Sequence, residues 1–181
     1  MATLVERMLR AARLDANLYE EVEADPTTMR QALVVVLLSS VAGGIGTAGE
    51  DGLGLFGAAI ASLIGWYIWA FLTYYIGTKW LPEPATEADV GQMLRTLGFA
   101  SAPGIIRILG VIPGLGMVIA VIGSLWMLCA MVVAVRQALD YRSTGRAIAV
   151  CVIGFIVQVA VISALMIAFG AMAGPDAGPT A

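Results

Sequence analysis

The chain has 181 residues, of which 60% are hydrophobic and 13% charged, and its mean hydropathy is +0.90. A water-soluble domain of that length cannot hide so much apolar surface. A formal net charge of -3 and the absence of histidine leave no electrostatic footprint for nucleic acid and remove the commonest metal ligand and general base.

At the N-terminus Leu4, Met8, Ala11 or Ala12, Leu18 and Val22 recur at roughly helical spacing, with Asp15 placed to cap a second short helix. Residues 1–25 therefore read as an amphipathic cytoplasmic region. As a membrane-surface helix it would offer Arg7, Arg10 and Arg13 to lipid phosphates; the plainer alternative is an amphipathic helix packed on the bundle. Charges interrupt this region throughout, unlike the apolar core of a cleaved targeting peptide. Asp25-Pro26 follows as a cap with proline at the first helical position.

A membrane helix needs about 20 mostly apolar residues, and four uncharged intervals meet that length. They are Gln31 to Gly49 (19 residues), Gly52 to Thr78 (27), Ile108 to Val135 (28) and Ala147 to Pro175 (29). The third of these opens with Gly110-Val-Ile-Pro113-Gly-Leu-Gly116, which reads as a turn, so its helix is expected from about Gly114. A fifth stretch, Val90 to Leu109, is apolar but contains Arg95, Pro103 and Arg107.

Charge asymmetry makes that stretch a span, because cytoplasmic loops collect Lys and Arg. If it crosses, nine of the ten basic residues lie at or near the cytoplasmic face and only Arg107 is opposed; if it does not, Arg136, Arg142 and Arg146 are exported. Arg95 and Arg107 are 12 residues apart, about 18 Å along a helix, so each is expected to snorkel to a different interface. Pro103 removes one backbone hydrogen bond and predicts a kink or break beside Gly104. Trp66, Tyr67, Trp69, Tyr74, Tyr75 and Trp80 are expected as interfacial anchors and amphipathic surface.

The expected architecture is an all-α, polytopic transmembrane bundle with the N-terminus cytoplasmic and the C-terminus external. Its spans lie at about 31–49, 54–78, 90–109, 114–135 and 147–172, inside a membrane domain over 26–173, with a frayed tail at 174–181. Small-residue stretches, including Gly43 to Gly46, Gly98 to Gly104 and the pair Gly170 and Gly174, suit close helix contact. Gln158 is the strongly polar side chain near the middle of the last span and is expected to bond across to another helix.

Catalytic chemistry is missing from the pattern. The four uncharged spans contain no Asp, Glu or His, which argues against a proton-coupled pump. Ser39, Ser40, Ser101, Ser124 and Ser163 have no base beside them. The glycines at 110, 114 and 116 lack the lysine and hydroxyl of a phosphate-binding loop. Cys129 and Cys151 lie in apolar runs without metal or redox spacing and read as packing residues. No enzyme activity, metal or cofactor is expected.

The stretches Arg95-Thr-Leu-Gly-Phe-Ala-Ser-Ala-Pro-Gly104, Leu109-Gly-Val-Ile-Pro-Gly-Leu-Gly116 and Ala134-Val-Arg-Gln-Ala-Leu-Asp-Tyr-Arg-Ser143 resemble the prokaryotic branch of the Yip family, the Ypt-interacting membrane proteins, over roughly Leu9 to Met166. That resemblance implies a cytoplasmic N-terminus and five spans. It also implies a location in the bacterial or archaeal cytoplasmic membrane. Eukaryotic relatives are associated with vesicle traffic, membrane shaping and Rab-type GTPases, and carry an Asp-Leu-Tyr-Gly-Pro-like motif before the spans. Here Asn17-Leu18-Tyr19 is followed by Glu20 and Glu21, a departure that argues against GTPase binding.

The functional expectation is a non-enzymatic protein that organises membrane partners or lipids, by itself or as a homo-oligomer. The alternative is a small permease or transporter subunit built around a broken third span, with Ser101, Pro103, Gly104, Arg107 and Gln158 as candidate helix-break or interaction residues. The topology is directly testable with reporter fusions. Those after Gly49, Pro113 and Gly174 should report outside and those after Pro82 and Ser143 inside; an outside signal at Ser143 would sink the five-span arrangement.

Overall fold

The computed structural model describes residues 2–46 and 54–172, and every regular element among them is helical. In chain order the α-helices are α1 (Leu4–Ala12), α2 (Ala16–Ala24), α3 (Met29–Gly46), α4 (Gly54–Tyr75), α5 (Val90–Ala100), α6 (Gly116–Ala138) and α7 (Thr144–Met172). A 3-10 turn, Pro26–Thr28, leads into α3, a π-helical turn, Ile76–Trp80, prolongs α4, and a 3-10 helix, Ala102–Val111, prolongs α5. Among the described residues, five stretches are long and apolar enough to cross a membrane: Pro26–Gly46, Ala59–Trp80, Val90–Val111, Gly116–Ala138 and Thr144–Val161. The expected end of the first span at 47–49, the Glu50-Asp51 loop and the 174–181 tail lie outside the described residues.

Local signals set the helix ends. Asp15 caps α2 by accepting from the Asn17 amide at 3.0 Å, and Asp25 accepts from the Thr27 amide at 2.9 Å with Pro26 following it. Asp89 and Gln92 form a reciprocal capping box at the start of α5. Two helices end in Schellman turns on unusual residues. After α1, Leu14 (φ 61°) and Asp15 donate to Ala11 and Arg10; after α6, Asp140 (φ 51°) and Tyr141 donate to Gln137 and Arg136. Gly114 (φ 82°) supplies the left-handed turn before α6.

The third span is the axis of the bundle: 56% of it is buried inside the protein, against 22–28% of the others. It runs parallel to α3 in steady register. Gly98 lies on Ala32, Gly104 on Ser39, Arg107 on Gly43, and Gly110 on Gly46. Since the pairing advances together over the whole height of α3, this stretch traverses the bundle rather than turning back. Against α6 it runs antiparallel, with Gly104 meeting Met127 and the Arg107 stem meeting Gly123.

That intimacy depends on glycine, because dispersion gains between membrane helices need close backbones. A methyl group built on Gly46 would overlap the Arg107 carbonyl oxygen, and one on Gly98 would lie 2.7 Å from the Ala32 Cβ. On Gly65 it would meet nothing within 4 Å. Gly46→Ala should therefore destabilise the bundle by about 1–3 kcal/mol through overpacking. Gly65→Ala should be neutral or stabilising by about 0.5–1 kcal/mol. Unfolding of both variants in mixed micelles would check this, and equal effects would contradict the packing.

Candidate functional site

Pro103 cannot donate to the Phe99 carbonyl, and its ring would strike it, so the α-helical ladder cannot continue. The chain tightens instead. Ser101 N–H donates to Gly98 at 3.2 Å and Gly104 N–H to Ser101 at 2.9 Å, and a ten-residue 3-10 helix follows. That length is unusual, since such runs seldom exceed three or four residues. At a rise of about 2.0 Å per residue, those ten residues cover about 20 Å instead of about 15 Å. The break expected beside Gly104 is present, and Ser101, Pro103 and Gly104 are all buried at it.

The break also aims Arg107. Instead of snorkelling outward, its side chain turns back along the bundle. Nε donates to the Gly104 carbonyl at 3.1 Å, and Nη2 donates to the Ser39 carbonyl at 3.1 Å and to Ser39 Oγ at 3.2 Å. The glycines at 43 and 123 leave room for the guanidinium and its stem. Nη1 makes no hydrogen bond, and no carboxylate pairs with Arg107, among the described residues.

Arg107 borders a cavity of about 300 Å³ near mid-height, to which every long helix contributes. The polar lining is Ser39, Ser40, Ser62, Ser101, Arg107 and Gln158; Val36, Leu97, Trp66, Trp69, Met127, Leu128, Met131 and Phe155 form most of the rest. Ser40 donates to the Val36 carbonyl and shares a hydroxyl–hydroxyl hydrogen bond with Ser62, and Trp66 Nε1 donates to the Leu94 carbonyl at 3.1 Å. Trp69, expected as an interfacial anchor or amphipathic surface, is instead 8% exposed, and its Nε1 donor is buried without a partner among the described residues. Gln158, expected to bond across to another helix, makes no side-chain hydrogen bond among the described residues and faces the cavity.

The structure thus brings Ser101, Arg107 and Gln158 into one site. Sequence reasoning missed Ser62, Trp66 and Trp69 as members of it. Their spacing of four and seven residues along α4, one helix face, was the available signal.

The N-terminal arginines have a different fate. α1 and α2 form a hairpin laid against α5, the 3-10 helix and α6. Its turn meets α6 where Trp126 Nε1 donates to the Ala12 carbonyl at 2.7 Å, and its second arm where Gln137 donates to Glu20 at 2.7 Å. These contacts are 11 residues apart on α6, about 16 Å. Arg7 is 8% exposed; Nε and Nη2 grip Glu21 at 3.0 and 2.8 Å, and Nη1 reaches Gln31 at 2.9 Å. Arg10 bridges Asp15 and Glu21 at 2.8 and 2.7 Å. Its hydrogen bond, ahead of that from Arg7, holds the Glu21 carboxyl below the usual range against the pull of burial.

Of the three arginines expected to meet lipid phosphate, Arg7 and Arg10 make these contacts within the hairpin and to Gln31, while Arg13 is exposed. Arg95, expected to snorkel, is buried and donates from Nε to the Val22 carbonyl at 2.9 Å and from Nη2 to the Glu23 carbonyl. These are orphan carbonyls at the C-terminus of α2, where a cation is also favoured by the helix dipole. Leu18 and Tyr19 are wholly buried, with Tyr19 Oη donating to the Ala11 carbonyl at 3.3 Å.

A family model described as the Yip1 domain matches residues 16–168. No curated protein and no solved structure matches the chain.

Where the hairpin meets the bundle, burial first, and then the charge of Asp140, raises the Glu23 carboxyl from an ordinary 4.5 to about 7; Arg95 opposes the shift and Glu20 and Asp89 add to it. A folded-state pKa above the unfolded one means the folded protein holds the proton longer, so stability falls as pH rises from about 4.5 to about 7 and is level beyond. Glu23→Gln should remove that slope and raise the melting temperature at pH 8. Melting curves across pH 4 to 8 would check both, and an unchanged slope would contradict the assignment.

Proposed function

The chain belongs to the Yip1 domain family and is a multi-pass membrane protein, and from that footing we propose that it is a non-enzymatic organiser of lipids or partner proteins in a cell membrane. The observation that carries the proposal is the outer face of α1. Val5 and Leu9 are 65% and 55% exposed there, beside exposed Arg13, while the inner face is fixed to the bundle through Arg7 and Ala11. A helix so anchored presents two aliphatic side chains and a cation in fixed geometry. That combination suits an anionic lipid surface or the membrane-proximal helix of a partner.

The orientation proposed is N-terminus inside. The α2 arm of the hairpin, the 77–83 segment and the 139–146 loop meet at one end of the bundle. Tyr141 Oη donates to the Gly77 and Leu81 carbonyls, Arg146 lies 3.4 Å from Glu83, and Gln137 holds Glu20. Lys79, Arg136, Arg142 and Arg146 gather at that end, which the positive-inside rule assigns to the cytoplasm. The burial of Leu18 and Tyr19 supports a structural use of that dipeptide over contact with a GTPase.

Photo-reactive residues at Leu9 and, as a lipid-facing control, at Ile156 in native membranes test the reading. Leu9 should give discrete protein adducts or anionic-lipid adducts enriched over Ile156, and Arg13→Glu should diminish them several-fold. Identical adduct profiles at the two positions would refute the organiser role. Saturable anion uptake into vesicles by wild-type protein, lost in a folded Arg107→Lys variant, would favour the permease instead.

A further inference from the structure

We propose that the mid-height cavity is a binding site for an amphiphile with an oxyanion head, a carboxylate or a phosphate monoester, on an alkyl chain that enters from the bilayer between α6 and α7. The site lies apart from the outer face of α1, and either assignment can fail alone.

Three polar groups at the cavity ask for an acceptor. Arg107 Nη1 has no partner among the described residues, the Gln158 amide is likewise unspent, and Trp69, more than nine-tenths buried, holds an unpartnered Nε1 donor. A buried donor without an acceptor loses its hydration with nothing in return, and a half-buried guanidinium with no carboxylate partner among the described residues favours an anion beside it. An oxyanion supplies both the charge and several lone pairs, and the guanidinium fork suits carboxylate and phosphate oxygens. Ser39, already on Arg107 Nη2, completes a cluster that a head of a few oxygens can occupy.

The remaining walls demand an apolar body. Met127, which meets Gly104 beside Arg107, and Leu128, Met131 and Phe155 line the cavity with apolar surface. Leu128 and Phe155 are 48% and 58% exposed, so this edge opens on the lipid-facing side between α6 and α7. Past Gly154, Ile156 and Val159 of α7 are exposed while Gln158 faces the cavity. Methionines at the wall adapt to a chain of no fixed shape. A water-borne anion has no such need for an opening into lipid.

The test uses the full-length protein in uncharged detergent, with ligand-induced change in melting temperature and calorimetric titration as readouts. Dodecyl phosphate or dodecanoate should bind saturably and raise the melting temperature, and the stronger of the two identifies the head as phosphate or carboxylate. Dodecanol, dodecyltrimethylammonium and inorganic phosphate should bind at least about tenfold more weakly, since a charge-assisted hydrogen bond is worth that factor or more. Arg107→Gln should weaken dodecyl phosphate by the same factor. Because that change also removes the bonds to Ser39 and Gly104, Trp69→Phe is the second variant. It deletes an unpartnered donor, should keep the ligand-free melting temperature, and should bind the anion several-fold less tightly. Equal response to dodecanol overturns the oxyanion, equal response to inorganic phosphate overturns the alkyl chain, and undiminished binding by Trp69→Phe overturns this cavity as the place.

Discussion

Pro103 has no amide hydrogen to give the Phe99 carbonyl, and from that single missing donor much of the bundle follows. The third span changes to 3-10 geometry, and the longer rise carries Arg107 to the level of Gly43 on the parallel α3. At that level only glycine permits the approach, so the strand of small residues on α3 and the proline on the neighbouring span form one device. Had the chain stayed α-helical, residue 107 would stand about 2–3 Å lower and turned about the axis, and its guanidinium would not meet both Ser39 and Gly104.

A second arrangement answers a different difficulty, that of placing a charged hairpin beside an apolar bundle. α1 and α2 turn most of their charge on each other and on backbone. Glu21 receives two arginines, and Arg95 serves the carbonyls that the end of α2 leaves open. Exposed pairs of this kind would add little, but Arg7 is buried and each guanidinium donor on Glu21 is geometrically met, so removal of one partner would strand the other. Thr28 Oγ1 shares the Val22 carbonyl with Arg95, tying the entry of the first span to the same point. The hairpin is thus part of the bundle wall and not a tether.

The helices and their number were legible in the sequence because a membrane helix declares itself by an uninterrupted run, and the caps at Asp15 and Asp25 because a side-chain oxygen before a helix has one common use. The helix break was legible for the same kind of reason, a local one, at Pro103. What could not be read was the direction of the long cations. Snorkelling is the default for an arginine with only lipid around it, and for Arg95 and Arg107 the default lost to acceptors brought by distant segments, the end of α2 and Ser39; Arg7 likewise turns to Glu21. Such partners lie 14 to 73 residues away, and no spacing within one helix encodes them. The burial of Trp69 was equally illegible, since an indole within a span reads as an interfacial anchor or amphipathic surface until packing against another helix, here at Gly154, places its ring in the core.

The two buried arginines of the third span make an informative pair. Arg95 meets carbonyls at a helix C-terminus, where aligned peptide dipoles concentrate negative charge, and it lies near Glu23 and Asp89, so its charge is compensated twice over. Arg107 meets the carbonyls of Gly104 and Ser39, of which the first lies at a helix break and the second within α3, where that oxygen is ordinarily engaged by the next turn. These contacts satisfy geometry for two of its nitrogens and supply little net charge. The difference explains why one cation is sealed at the hairpin seam while the other borders an open volume. A guanidinium with no counter-ion among the described residues is tolerable at mid-height where polarizable or hydrated space remains beside it, and the cavity lined by Ser39, Ser101 and Gln158 is that space.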